Sequence, residues 1–588
     1  MLSPSQIIVL ATPVFLLLIA LEWAWGVRRG RNTYRLPDAV NSIGLGILSQ
    51  ISAVFTRLLR IGLYTAVFEH VALWRDDAFW TSAPGWLLAL VFYDFCYYWL
   101  HRLGHRSAVL WAAHVVHHQS QHYNLSTALR QTSSGALFGW IFYVPMALAG
   151  VPPLVFGVVA LIDLLYQFWV HTEHVPKLGW FDRWFCSPSN HRVHHAVNDR
   201  YVDKNYGGIL IVWDRLFGTF EDEDLREQPV YGTRAPLQSW DPLWANAEVY
   251  WALAQDSWRA RNWGDKLRVW LKAPGWRPAD VAARWPKPAF DIAALARYEP
   301  PVGRAVQWFA GTQFAAVTAG TAVFLWHADS APALALVLWF SVLTSALWAV
   351  GALLQGRIGV WQVLMIEVAA LATACSALGL QDAHRVFKPL AMLFAMGFVA
   401  AHADLTPDRR PFYLNLMVAQ ALSLIGDVAL MLEGYFIPGL VAFLLAHLAY
   451  IALLKRGVAW FASRRALVGT LAIGVAVYAF LWEGGLPSGL RLPVALYVLA
   501  IALMASQAIG RATVLNDRAA WMVAAGTGCF MLSDALLATN RFVQPLPLAQ
   551  VWVLSSYYVA QFLIAVGAVQ AGAIGLNGLK IHRRPVSA

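Results

Sequence analysis

The sequence predicts an all-α, polytopic integral membrane protein, in which a histidine-rich helical domain precedes a multi-helix transmembrane bundle. Of its 588 residues, 59% are hydrophobic and only 13% are charged, whereas about 25% of an ordinary soluble domain is charged. Apolar stretches of about 20 residues, long enough to cross the hydrocarbon core of a bilayer, recur along the chain. Eleven of the 17 histidines fall between positions 101 and 195.

The first apolar stretch, residues 7–27, is followed by the basic sequence RRGRNTYR. A secretory signal peptide would carry its charges first, with a shorter apolar core and a small-residue cleavage site. The order found here predicts a retained transmembrane helix whose basic end lies in the cytoplasm.

Further apolar stretches are predicted near residues 40–70, 84–100 and 135–170. Residues 173–301 carry more charges, many tryptophans and a proline-rich basic run, which predicts a cytoplasmic and partly interfacial region. Ten more apolar spans follow, separated by short polar loops. We therefore predict a first domain at 1–300, linking transmembrane helices at 301–359 and a transmembrane domain at 360–588. The ten spans lie near 306–327, 332–354, 360–380, 386–403, 412–433, 436–454, 465–483, 490–510, 519–538 and 548–573.

The formal net charge is +10, but the arginines are scattered among apolar spans. This favours basic loops beside anionic lipid head groups over a nucleic-acid partner. The four cysteines are far apart, so neither a disulfide framework nor a CxxC metal site is indicated.

The histidines form short boxes, HRLGH, HVVHH and HRVHH, with a further pair in HTEH. Residues i, i+3 and i+4 of a helix share one face, so we expect each box to offer two or three imidazoles to one point. The boxes comprise His101 and His105; His114, His117 and His118; His191, His194 and His195; and His171 with His174.

Imidazole suits zinc, copper, iron and nickel. A structural zinc needs four ligands, so eight or more imidazoles are enough for two metals. An almost all-nitrogen dinuclear site indicates redox iron used for oxygen chemistry, although the spacing leaves a pair of zincs open. His122 does not follow the pattern. Acidic residues near the boxes could orient ligand N–H groups or instead cap helices and pair with arginines. They are Asp163, Glu173, Asp199 and Asp214.

The order HxxxH, HxxHH, HxxHH resembles the membrane fatty acid hydroxylase/sterol desaturase superfamily. The text at 93–132, 168–182 and 187–220 is most similar to the alkylglycerol monooxygenase family within it. The resemblance covers about residues 5–300. It implies a diiron site with the ligands His101, His105, His114, His117, His118, His171, His191, His194 and His195.

The same resemblance implies O2-dependent hydroxylation of a lipid chain at the carbon that bears an ether oxygen. The product would fall apart to a fatty aldehyde and a glycerol derivative. A tetrahydropterin or another electron donor would supply the electrons. No pterin pocket can be identified from these residues.

Two aspartates stand inside apolar helices of the second block, Asp427 in SLIGDVALML and Asp534 in FMLSDALLA. A carboxylate there costs several kcal/mol unless it is partnered or protonated. Two close carboxyls can share a proton and so supply a general acid and a general base. Structural hydrogen bonding, or an ion pathway in a transporter, remains open on these residues alone.

The second block resembles the YhhN/transmembrane-86 lysoplasmalogenase family through FKPLAMLF, LSLIGDVALML, FMLSDALLATNRF and YYVAQFLIAVGA, in family order over about 360–572. The resemblance implies hydrolysis of the vinyl ether bond of lysoplasmalogens, with Asp427 and Asp534 as the acid/base pair. Other matching positions could hold the head group, orient the aspartates or simply pack. They are Lys388, His447, Tyr450, Arg511, Asn540, Tyr558 and Gln561.

Together the two resemblances predict a bifunctional membrane enzyme that degrades ether glycerolipids. One alternative is a sterol, carotenoid or fatty acid hydroxylase with a helical appendage. Another is a second block that binds or transports lipid without chemistry, and a third is a zinc site without redox activity. We expect the histidines on the cytoplasmic side of the membrane, which would be the inner membrane in a bacterium.

Overall fold

The computed structural model describes residues 3–574, and within that range regular structure is helical, with β-structure limited to two isolated bridges. Twelve of the helices are long and apolar enough to cross a membrane. The prediction of an all-α polytopic membrane protein is therefore confirmed.

The described part of the chain divides into two compact units, residues 3–331 with 350–357 and residues 332–349 with 358–574. The first unit contains α1 (Pro4–Arg28), α2 (Leu36–Arg57), α3 (Leu63–Val71), α4 (Asp77–Trp80), α5 (Ala83–Arg106), α6 (Ala108–Ala112), α7 (Leu125–Ala128), α8 (Gly135–Gly139), α9 (Val144–Leu148), α10 (Pro153–Trp169), α11 (Pro188–His194), α12 (Val212–Leu216), α13 (Pro242–Arg259), α14 (Trp263–Leu271), α15 (Ala279–Arg284) and α16 (Arg304–His327).

The helix α17 (Ala333–Leu354) is divided between the units, because its last turns belong to the first unit. The second unit then continues with eight helices: α18 (Val360–Ala377), α19 (Gln381–His402), α20 (Arg410–Leu430), α21 (Phe436–Leu454), α22 (Arg464–Glu483), α23 (Arg491–Leu515), α24 (Arg518–Phe542) and α25 (Ala549–Ile574).

Two apolar stretches predicted in the first block are interrupted in the structure. The stretch 40–70 contains a π-helical turn at Leu58–Gly62 between α2 and α3. The stretch 135–170 is broken between α9 and α10, where Gly150 has φ +83° and Pro152 and Pro153 follow. A Cβ at Gly150 would lie 1.6 Å from the carbonyl oxygen of Trp74, so a larger residue cannot occupy this turn.

In the first unit, α5 and α10 pack against each other around a core of aromatic and aliphatic side chains, which includes Tyr93, Tyr143 and Phe156. The helix α5 begins where Ser82 accepts a hydrogen bond from the amide of Gly85, with Pro84 in the first turn. Its other end carries the first histidine box.

The second unit is a bundle of neighbouring helix pairs, α18 with α19, α20 with α21, α22 with α23 and α24 with α25. The last helix, α25, also packs on α18 and α19, so the end of the bundle returns to its beginning. Its core is apolar and aromatic, and the two aspartates of the sequence analysis lie on helices that border it.

Candidate metal centre and carboxylate site

The nine predicted histidine ligands come together in two groups within the first unit. The five-histidine group contains His101, His105, His114, His118 and His194, and the four-histidine group contains His117, His171, His191 and His195. Within each group the candidate ligand atoms all lie within 4.8 Å of one another. The geometry thus provides two separate points at which imidazole nitrogens converge.

The boxes are divided between the two groups, which differs from the expectation that each box serves one point. His117 and His118 are adjacent in a 3₁₀-helix (Val115–His118), where successive residues turn by about 120°, so their rings point in different directions. His114 precedes this helix as its N-cap and joins the group of His118. In α11, successive residues turn by about 100°. His194 therefore points away from His195, and only His195 joins His191 one turn away.

The Nε2 atoms face one another at short range. In the five-histidine group the Nε2 atoms of His101 and His114 are 3.1 Å apart, as are those of His114 and His118. In the four-histidine group the Nε2 atom of His171 lies 3.2 Å from that of His117 and 3.1 Å from that of His191.

The opposite nitrogen of several rings is fixed by the backbone. His101 Nδ1 lies 2.8 Å from the carbonyl oxygen of Tyr206, and His117 Nδ1 lies 2.9 Å from that of Arg130. His171 and His194 make equivalent contacts to the carbonyls of Gln167 and Lys204. A carbonyl can only accept, so each Nδ1 carries the proton and each Nε2 presents a lone pair to the centre.

This arrangement fits metal ions. Lone pairs that face one another repel unless a cation lies between them, and the Nε2 atoms of His105 and His194 are buried without any hydrogen-bond partner. Burial is also the main cause that lowers the pKa of His117 to about 4, which keeps the imidazole neutral and available as a ligand at neutral pH.

The second unit contains Asp427 and Asp534 in different surroundings. Asp427 is buried on α20, where its Oδ1 lies 3.3 Å from Lys388 Nζ and its Oδ2 accepts a hydrogen bond from the Tyr557 hydroxyl. Lys388 also donates to the Asp427 backbone carbonyl at 3.2 Å. The carboxylate therefore has both a cation and a hydroxyl donor.

Asp534 on α24 accepts a hydrogen bond of 2.6 Å from the Tyr497 hydroxyl. The Nε2 atom of His447 lies 3.0 Å from the same hydroxyl and 3.6 Å from Asp534 Oδ2. Among the described residues the two aspartates form no direct hydrogen bond, so the structure does not show a shared proton. The ring of Phe530 contacts both His447 and Tyr557, which places the two carboxylates around one aromatic cluster.

A cavity of roughly 460 Å³ opens beside Asp534. Its wall is formed mainly by apolar side chains of α22, α23 and α24, with Tyr497, Asp534, Thr470 and Arg541 as the polar groups. Pockets that bind small molecules have this character, apolar with a few polar groups in defined places. Asp534 lines the cavity, whereas Asp427 does not.

Comparison with known proteins assigns each unit to a family. Residues 86–219 match the fatty acid hydroxylase family, and residues 383–568 match the YhhN family. A stretch of 181 residues is 30% identical to lysoplasmalogenase TMEM86A of Bos taurus, which covers 30% of this chain and 70% of that protein. The chain belongs to the YhhN family through its C-terminal part, the YhhN domain. The N-terminal part that contains the match at 86–219 is called the fatty acid hydroxylase domain below, after the family that it resembles.

The fatty acid hydroxylase domain is similar to alkylglycerol monooxygenases of Homo sapiens and Danio rerio, each 40% identical over 270 residues. These alignments cover 46% of this chain and 59% of the relatives, so the chain spans less than two thirds of their length. No solved structure shows a significant match to the chain.

In the fatty acid hydroxylase domain, none of the four acidic candidates bonds directly to a ligand histidine. Asp163 accepts from Gln167, whose carbonyl faces His171, and Asp214 accepts from the amides of Tyr206 and Gly207. Glu173 and Asp199 pair with surface arginines. His122 and His174 lie outside both groups.

Sequence reasoning missed three residues that hold this domain's ligands. Asp203 Oδ1 lies 3.7 Å from His105 Nδ1. Asp94 accepts from the amides of Ile209 and Leu210, which anchors the loop behind His101. Arg130 is almost fully buried, and its guanidinium donates to the carbonyl of Val116 while its own carbonyl faces His117. The signal was available in part, since Asp94 is a charged residue within the apolar stretch LVFYDFCYYW.

In the YhhN domain, some of the remaining candidate residues support the aspartates, and others bind the backbone or have no hydrogen-bond partner. Gln561 accepts from Tyr450 at 3.0 Å and donates to Tyr557 at 3.3 Å, so it supports the hydroxyl that contacts Asp427. Arg511 donates to carbonyls at the end of α21, and Asn540 accepts from the amide of Leu546. The hydroxyl of Tyr558 is buried without a hydrogen-bond partner.

Proposed function

We propose that the protein is a bifunctional membrane enzyme of ether-lipid breakdown. The fatty acid hydroxylase domain would cleave alkyl ethers of glycerol oxidatively, and the YhhN domain would hydrolyse the vinyl ether of lysoplasmalogens. Both reactions release a fatty aldehyde. The observation that carries the proposal is the presence in one chain of nine converging imidazoles and of a lipid-sized cavity with an aspartate in its wall.

In the first reaction, the five-histidine and four-histidine groups would each hold one iron ion. Imidazole is a good iron ligand, and no thiolate joins either group, as expected for oxygen chemistry rather than structural zinc. When bound, the iron pair would supply O2 activation for insertion of one oxygen atom at the carbon beside the ether oxygen. An external electron donor, such as a tetrahydropterin, would provide two electrons.

The residues of the domain prepare the site for this chemistry. The carbonyls of Tyr206, Lys204, Gln167 and Arg130 fix the rings so that the Nε2 lone pairs face inward. Burial of the boxes excludes bulk water, which protects a reactive centre from side reactions. The hydroxylated ether is a hemiacetal, which separates into an aldehyde and a glycerol derivative.

In the second reaction, Asp534 would donate a proton to the vinyl carbon remote from the ether oxygen, because it lines the cavity. Asp427, which accepts from Lys388 and Tyr557, would serve as the proton acceptor that activates water. Water adds to the carbon attached to oxygen, and the resulting hemiacetal separates into the fatty aldehyde and a glycerophosphodiester that carries no chain.

To test this, the purified full chain is supplied with iron and a tetrahydropterin and incubated in parallel with an alkyl lysolipid and with an alkenyl lysolipid. The aldehyde released from each lipid is trapped and measured. We expect aldehyde from both, O2 uptake only with the alkyl lipid, and iron on metal analysis. If the alkyl lipid gives no aldehyde while a sterol or acyl chain is hydroxylated, the ether-lipid assignment is wrong. Zinc without O2 uptake would refute the redox assignment.

Two variants test the acid/base assignment in the YhhN domain. Asp427→Asn and Asp534→Asn should each lower vinyl ether hydrolysis by about 10²–10⁴-fold, the usual contribution of a general acid or base. Asp517→Asn is the matched control, because Asp517 caps the first turn of α24 and asparagine caps equally well. Unchanged hydrolysis in both test variants would refute the acid/base assignment, whereas absence of hydrolysis by the wild type would favour a bundle that only binds or transports lipid.

We further propose that the histidine groups face the cytoplasm, since the basic sequence after α1 favours that side. Labelling of an introduced cysteine near residue 30 with a membrane-impermeant reagent in oriented vesicles tests this orientation.

A further inference from the structure

The cavity of the YhhN domain has a charged end. Arg541 and Asp534 both line the cavity, and they lie on one face of α24. Seven residues, or two helical turns of about 10 Å in total, separate them. The Arg541 guanidinium is exposed and lies 3.9 Å from the centre of the Phe436 ring, another lining residue.

A second arginine, Arg491, lies near the same end of the cavity without lining it. The helices α23 and α24 are joined by only two residues and therefore run antiparallel, so α23 begins where α24 ends. Arg491, the first residue of α23, shares a helical face with Val494 and Val498, which both line the cavity. Its guanidinium stacks on Trp482 at 3.8 Å, and its Nε is buried without a hydrogen-bond partner.

Neither arginine is neutralised by the protein. Within residues 3–574, Arg491 and Arg541 form no ion pair, and neither does Glu483 at the nearby end of α22. Arg541 in the cavity wall is complementary to an anionic ligand group. Arg491 does not line the cavity itself, but it follows the same helical face as the lining residue Val494 and has a buried N–H group without an acceptor.

Away from Arg541, the cavity is lined by apolar side chains. From Tyr497, the partner of Asp534, it continues along α23 through Ile501 and Ala505 to Ile509, a distance of about 18 Å. One leaflet of a bilayer with a hydrocarbon core of about 30 Å has a depth of about 15 Å. The apolar part is therefore long enough for a single fatty chain.

We propose that Arg541 and Arg491 form a subsite for the phosphate of a single-chain phospholipid. The phosphate would lie at the arginines, the ether bond at Asp534 and the chain along α23. Arginine suits this role because its guanidinium binds phosphate oxygens in pairs. The inference deepens the proposed hydrolysis, and rests on it for the position of the reacting bond.

The kinetic test compares a vinyl-ether lysophosphoethanolamine with the corresponding alkenylglycerol, which lacks the phosphate. Arg541→Gln should raise KM for the phospholipid about tenfold, as expected for loss of a charged hydrogen bond, and leave the alkenylglycerol unaffected. Arg541→Lys should recover part of the loss. Arg518→Gln is the matched control, since Arg518 is exposed at the opposite end of α24.

A binding test separates this subsite from the chemistry. Without iron or reductant, a lysophospholipid with a saturated hexadecyl ether should raise the melting temperature of the wild type more than hexadecylglycerol does. Arg541→Gln and Arg491→Gln should each remove that difference. The melting temperature tests phosphate binding at the subsite independently of catalysis. If no vinyl ether is hydrolysed but the shift behaves as expected, the catalytic proposal fails and the subsite stands.

The subsite is overturned if both arginine variants leave KM and the thermal shift unchanged, or if they weaken the two lipids equally. Inorganic phosphate alone should not stabilise the protein. Stabilisation by phosphate equal to that by the lysophospholipid would assign the cations to a free anion and overturn the lipid subsite.

Discussion

The imidazole of His171 provides a sharp test at the scale of a single residue. Its Nε2 lies 3.1–3.2 Å from two other Nε2 atoms of the four-histidine group. His171→Ala removes one of four donors, so metal content should fall from two ions per chain towards one. His174→Ala is the control, because His174 lies three residues later, outside both groups. Metal analysis of both variants checks this, and equal metal loss in the two would contradict the grouping.

The buried pair of Lys388 and Asp427 allows a second residue-scale prediction. Removal of one partner of a buried ion pair leaves an uncompensated charge and typically costs about 3–5 kcal/mol. Lys388→Met should therefore lower the free energy of unfolding in mixed micelles strongly. Lys388→Met combined with Asp427→Asn should restore most of it without restoring hydrolysis.

The control for this pair lies on the same helix. Arg385 and Asp382 form an ion pair whose side chains are 61% and 99% exposed, and exposed pairs contribute little. Arg385→Gln should therefore leave stability nearly unchanged. If Arg385→Gln lowers the free energy of unfolding as much as Lys388→Met does, the burial of the Lys388–Asp427 pair is not the cause of the lost stability.

The convergence of the nine histidines could be predicted from the sequence because their spacing is unusual, but their division between two groups could not. The division separates adjacent residues, His117 from His118 and His194 from His195, and the spacing HxxHH does not tell which imidazole joins which group. The partners of the rings could not be predicted either. Most are backbone carbonyls, such as those of Tyr206 and Lys204, and a carbonyl carries no sequence signal.

At the scale of elements, the loop at 203–211 determines how two ligands are held. Asp94 and Asp214 bind its amides, and the carbonyls of Lys204 and Tyr206 face His194 and His101. Gly208 permits this close approach, because a Cβ there would lie 2.7 Å from Asp163 Oδ1 and 2.9 Å from Asp94 Oδ1.

Gly208→Ala should therefore displace the loop and lower metal affinity by about 10–100-fold, as loss of ligand support usually does. Gly157→Ala is the matched control, since a Cβ at Gly157 would meet nothing within 4 Å and the residue lies within α10. Titration with iron under anaerobic conditions measures both. If Gly208→Ala binds iron as tightly as the control, the loop does not support the ligands.

The helices after residue 301 were predicted well because hydrophobic length alone identifies a membrane helix, and the ten helices α16 to α25 lie near the ten predicted spans. The first unit was harder. Its segments at 40–70 and 135–170 are apolar throughout, yet they bend at a π-helical turn and at Gly150, which hydropathy does not register. The cavity beside Asp534 depends on which faces of α22, α23 and α24 meet, and so it also required the structure.

At the scale of the whole molecule, the protein combines a site of converging imidazoles with a site built from carboxylates. Both histidine groups belong to the first unit, and no further group of potential metal ligands is found in the described part of the second. Asp427 is paired with Lys388 and Tyr557, and Asp534 with Tyr497, so neither aspartate belongs to a group of potential metal ligands. The two proposed activities should therefore respond independently to removal of metal.

Exhaustive chelation should abolish aldehyde release from an alkyl glycerol ether and leave vinyl ether hydrolysis within about twofold, because proton transfer by aspartates needs no metal. Asp534→Asn should give the reverse pattern with the metal content unchanged. Aldehyde trapping with each lipid, before and after chelation and after iron is restored, measures both. Loss of vinyl ether hydrolysis on chelation, with recovery on iron addition, would show that the second site depends on the first and would contradict their independence.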